Sequence, residues 1–80
     1  MAQDPTLDRI SALSDEEHAL CEREAHGPLP EEDRLRLAEV ELLLDQAWDL
    51  LRQRRARRDA GLDPDDAQPR DIDTVEGYRQ

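Results

Sequence analysis

Apolar positions in the first third of the chain recur at a helical period. Leu7, Ile10, Leu13, Leu20 and Cys21 fall on one stripe when successive residues are turned by about 100°. The stripe predicts a helix over about residues 5–26. Asp4 is placed to accept hydrogen bonds from the free amides of the first turn. Pro5 suits the first helical position, where no amide partner is needed. The stop is HGPLP: Gly27 is the natural left-handed residue after a helix, and Pro28 forbids continuation. Glu17 and Glu24 also lie on the stripe, where a carboxylate is costly unless a cation meets it.

A second helical pattern runs over about residues 30–60. Pro30 opens it, and Glu31, Glu32 and Asp33 face the positive end of its dipole. Leu37, Val40, Leu43, Leu44, Ala47, Trp48, Leu50 and Leu51 form a face about 160° wide, with Leu35 and Leu42 on the opposite side. Gly61 ends it. The connection between the helices spans about four residues, so they are expected to fold back as an antiparallel hairpin. That register sets Leu20 beside Leu37, Leu13 beside Leu44 and Ile10 beside Trp48. It places Glu17 across from Val40, with Arg36 about one turn away.

Residues 62–80 lose the period. DPDDAQP and DIDTVEG are turn and cap sequences, with Asp63-Pro64 able to start one helical turn and Thr74-Val75-Glu76 another. The expectation is an acidic tail, extended or partly disordered, anchored by Ile72, Val75 and Tyr78. The fold class is therefore all-α: an antiparallel two-helix hairpin over residues 1–61 followed by that tail. One partner helix cannot cover a 160° face, and an exposed apolar face is normally an interface. Dimerisation into a two-fold four-helix bundle of coiled-coil character is the expected remedy. Leu13, Leu20, Leu37, Val40, Leu44, Trp48 and Leu51 would then serve core and dimer together, with Trp48 as a core anchor.

Eighty residues make one small domain, for which a stand-alone core is marginal. Cys21 is the one cysteine, so an internal disulfide is impossible. No apolar run approaches a membrane span, and MAQDPTLDRI has neither a basic leader nor an apolar stretch. A cytoplasmic protein without membrane partners is expected. Charged residues make up 40% of the chain and are unevenly placed. Residues 1–33 carry a net −8 and residues 59–80 a net −5, while residues 51–58 hold five arginines and no acid, within a chain of net charge −10.

Two stretches, ISALSDEEHAL over residues 10–20 and LDQAWDLLRQRRARRDAGLDPDDA over residues 44–67, closely resemble small actinobacterial proteins grouped as a domain of unknown function. VEGY at residues 75–78 resembles the C-terminal end of the same family. Members often carry Cys beside the Trp, where this chain has Ala47. The resemblance implies a cytoplasmic helical protein and no particular activity.

The candidate chemistry is led by Arg52, Arg54, Arg55, Arg57 and Arg58. Guanidinium forks match phosphate oxygens, so nucleic acid is one reading of the block. The surrounding acids would repel a polyanion, and aromatic residues for base stacking are few. The favoured reading is dipole compensation and salt bridges to acids of this chain or of a second copy. Glu17 is expected to join this set by finding an arginine. His18 and Cys21, three residues apart on one helix face, are candidate metal ligands, but one chain falls short of the four that zinc needs. A calcium loop starting at Asp63 fails after Asp65, where Ala67, Gln68 and Thr74 replace the required residues. No catalytic constellation is present in the pattern, so a non-enzyme without cofactors is expected. The expected function is that of a small interaction, adaptor or regulatory protein that forms a homodimer and contacts other proteins. The alternatives are a nucleic-acid-associated regulator and a divalent-metal-binding protein.

Overall fold

A computed structural model of the chain describes residues 4–77. It contains α1 (Pro5–Ala25), α2 (Glu31–Asp59), a 3₁₀ turn (Pro64–Asp66) and α3 (Ile72–Gly77). Every regular element among the described residues is helical. Asp4 caps α1 from an extended conformation, and its Oδ1 accepts the Thr6 amide at 2.9 Å. α2 closes on Gly61, at φ 76°. There the Leu62 amide donates to the Arg57 carbonyl at 2.7 Å and the Gly61 amide to the Arg58 carbonyl at 3.1 Å. This nested pair satisfies orphan carbonyls of the last turn and requires a left-handed residue, which glycine supplies without a Cβ clash.

α1 and α2 pack antiparallel in the register that the leucine spacing predicts. Leu20 and Leu37 share one buried cluster with Leu29, which comes from the connection. Leu13 and Leu44 share the larger cluster with Ile10, Val40, Ala47 and Leu51. Val40 is fully buried at its centre. Ile10 shares that cluster with Ala47 and Leu51, the residues one before and three after Trp48. Trp48 is 42% exposed, so it sits at the rim of the core and not within it. The reason is angular: Trp48 lies about 40° round the helix from Leu44, while Leu51 lies about 20° to the other side. The narrow seam with α1 is filled by Ala47 and Leu51.

Residues 62–77, expected to be extended or partly disordered, carry the 3₁₀ turn and α3 and lie against α2. The Gln53 side chain donates to the Gln68 carbonyl at 3.0 Å and the Gln46 side chain to the Arg70 carbonyl at 2.9 Å. The segment therefore returns antiparallel to α2. Ala67 and Val75 are buried and Ile72 is half-buried; the expected anchor Tyr78 lies outside the described residues. Leu42, Gln46, Asp49 and Gln53 form the line of α2 opposite Leu44. α2 is thus the middle layer, with α1 on one side and the returning segment on the other. The result is a slab of 49 × 33 × 16 Å with a radius of gyration of 15.0 Å. A compact chain of this length would have about 12 Å.

Candidate functional site

The arginine block divides into two sets because it lies on a helix that is covered on two sides. Arg54 is held from both. Its Nη2 meets Asp65 Oδ1 at 2.9 Å, and its Nε faces Asp4 Oδ2 at 3.1 Å without hydrogen-bond geometry. Arg57 Nε donates to the Asp63 carbonyl at 2.8 Å, and its Nη2 lies 3.6 Å from Asp66 Oδ2. Asp63 in turn caps the 3₁₀ turn by accepting the Asp65 amide at 2.9 Å. These contacts tie the start of α1 and the start of the returning segment to the end of α2. The Thr6 amide holds the Asp4 carboxyl below its ordinary value against the opposing effect of burial, with Arg54 and Arg58 assisting. Arg52, Arg55 and Arg58 are exposed and form no direct ion pair among the described residues.

A second set of charges crosses the hairpin further along. Arg36 grips Glu16 with two nitrogens, Nε at 2.6 Å and Nη2 at 2.8 Å, and also contacts Glu39. These hydrogen bonds hold the Glu16 carboxyl below its ordinary value and push the Arg36 guanidinium above its own. Arg23 Nη2 lies 2.6 Å from Asp33 Oδ2. The cation near Glu17 is therefore taken by its neighbour. One residue is 100° of helix, which puts Glu16 on the flank that Arg36 shares and Glu17 on the other. Glu17 forms no ion pair among the described residues.

On that other flank, Ser14 and Glu17 of α1 and Glu41, Leu44, Asp45 and Trp48 of α2 line an open groove of about 310 Å³. Cys21 is exposed one turn beyond Glu17 on α1. Its thiol is pushed up first by partial desolvation and then by Glu17, Glu24 and Glu41. His18 is exposed on α1. Among the described residues there is no group of three or more His, Cys, Asp and Glu side chains that could hold a metal ion. A smaller cleft of about 190 Å³ lies between the start of α1 and the returning segment, lined by Thr6, Arg9, Gln46, Leu50 and Pro69 among others. No helix of the described residues is long and apolar enough to cross a membrane.

Of the leucine-face residues, Leu13, Leu20, Leu37, Val40, Leu44 and Leu51 are all buried within the single chain. Sequence reasoning missed Asp49, which is 4% exposed on the back of α2. Its Oδ2 accepts from Gln53 at 2.9 Å and lies 3.5 Å from Arg70 Nε. The available signal was the spacing of Gln46, Asp49 and Gln53, which sets three hydrogen-bonding side chains on one line opposite the leucines.

Comparison with known proteins places the chain among relatives slightly longer than itself. A family model described as "Protein of unknown function (DUF2630)" matches residues 2–80. Uncharacterized proteins of Mycobacterium tuberculosis (strain ATCC 25618 / H37Rv) and Mycobacterium bovis (strain ATCC BAA-935 / AF2122/97) are each 50% identical over 74 residues, which is 91% of this chain and 85% of theirs. No solved structure matches the chain significantly.

Proposed function

The chain belongs to the DUF2630 family of small actinobacterial proteins, and we propose that it works as a cytoplasmic interaction module, by self-association and contact with other proteins rather than by catalysis. The observation that carries this reading is the flank around Trp48. The one tryptophan of the chain is 42% exposed beside an acid-lined groove, while the leucines of the same helix's inner face are covered. Large aromatic side chains left partly open among charged residues are the usual anchors of protein interfaces. Arg52 and Arg55, which form no ion pair among the described residues, lie on the same stretch of α2. They give the surface both signs of charge, which suits selective docking.

Sedimentation equilibrium of the full chain at micromolar concentration tests the self-association. The expected mass is twice the 9.2 kDa of one chain. A mass of one chain at every concentration up to the millimolar range refutes it.

A further inference from the structure

Resting on the self-association just described, the geometry points to where the two copies meet. We propose that the flank of α2 centred on Trp48 is a two-fold interface, with two α2 helices antiparallel and the partner's Arg55 set between Glu17 and Glu41. The first support is position. Glu41, Trp48, Arg52 and Arg55 fall within about 60° of one another round α2 and are all exposed among the described residues. The second support is order. Glu41 lies seven residues before Trp48 and Arg55 seven residues after it, each about 10.5 Å away along the axis.

An antiparallel pair crossing at Trp48 sets each position before the tryptophan against the matching position after it. Glu41 then meets the partner's Arg55, twice over by symmetry. A parallel pair would set acid against acid and arginine against arginine. Isologous two-fold contacts require a self-complementary patch, and this one is self-complementary in one orientation only. The α1 neighbour strengthens the match. Glu17 lines the groove together with Glu41, so the partner's Arg55 reaches two carboxylates instead of one. Glu17, Glu41, Arg52 and Arg55 form no ion pair among the described residues that docking would have to break. The two Trp48 side chains face each other across the axis, where their exposed rings bury one another.

The test uses sedimentation equilibrium on the full chain, with far-UV circular dichroism to confirm that each variant keeps its helices. Glu41→Arg and Arg55→Glu each place like charges opposite one another in the homodimer, and each is expected to weaken it by roughly tenfold or more. An equimolar mixture of the two variants is expected to recover near wild-type affinity. In the mixed dimer, the two substituted side chains meet each other as an ion pair of reversed polarity. The two unsubstituted ones form the native Glu41–Arg55 contact. A wild-type dimer that neither variant weakens overturns this surface while leaving self-association intact. Weakened variants that fail to recover on mixing overturn the antiparallel arrangement. A wild-type monomer overturns both this inference and the self-association beneath it.

Discussion

Arg54→Met removes the guanidinium that joins three parts of the chain while keeping most of the aliphatic stem. The Asp4 contact is the larger loss. Its partners are 20% and 15% exposed, so solvent screens them less than a fully exposed pair, and without hydrogen-bond geometry such a pair contributes about 1 kcal/mol. The Asp65 contact is the smaller one. Asp65 is 78% exposed, which holds its share to about 0.5 kcal/mol. Together they come to about 1.5 kcal/mol, or a fall of roughly 8 °C in melting temperature for a domain of this size. Thermal melts followed by far-UV circular dichroism at one fixed protein concentration measure it. Arg58→Met is the control from the same block. Arg58 is exposed with no direct ion pair among the described residues, and losing a cation from the last helical turn costs about 0.5 kcal/mol. The reasoning is refuted if Arg54→Met melts within about 2 °C of wild type, or if Arg58→Met falls just as far.

The other two predictions concern carboxylates. Asp4→Asn keeps a capping oxygen but loses the charge. The Asp4 pKa is depressed by folding, so its contribution is fully present above the ordinary value of 3.8 and is lost as pH falls through the lower folded value. The melting-temperature gap between wild type and Asp4→Asn should therefore hold from neutral pH down to about 5 and close in stronger acid; a gap undiminished at about pH 2 would contradict the linkage. Asp49→Ala strips the acceptor from Gln53 and the anion from Arg70, at a cost of about 1.5–3 kcal/mol for hydrogen bonds to a charged group. Amide exchange should accelerate in α3 more than in the α1–α2 seam, and equal acceleration in both would show that Asp49 does not latch the returning segment.

The hairpin was legible because its signals are local and redundant. Asp4 and Pro5, the HGPLP break, Pro30 and Gly61 each mark an end by backbone chemistry that does not depend on distant residues. The leucine spacing then set the register of Leu13 with Leu44 and of Leu20 with Leu37. Trp48 stands at the rim of the single chain's core because periodicity gives a side chain's direction but not the width of the seam it must enter. The indole lies on the leucine half of α2 but at its edge, where it is 42% exposed. Glu17 shows the same limit more finely. Arg36 was the right cation for that stretch of α1, and a single residue of rotation handed it to Glu16.

The returning segment was harder to read for a different reason. Its two helical turns are visible as Asp63-Pro64 and Thr74-Val75-Glu76, but short turns carry no apolar period that says where they pack. The information sits instead on α2, in the polar line of Gln46, Asp49 and Gln53, which looks like a solvated face until the returning segment brings carbonyls to accept from the two glutamines and Arg70 to meet Asp49. That line also accounts for the arginines. A helix covered on two sides brings acids to its end from both: Asp4 from the start of α1, and Asp63, Asp65 and Asp66 from the returning segment. Arg54 and Arg57 point toward those acids. Arg52 and Arg55 are exposed among the described residues, beside Trp48 and in line with Glu41. The basic block is thus neither a single site nor a uniform patch. One part of it closes the monomer, and the other supplies the positive half of a surface whose negative half lies seven residues before the same tryptophan.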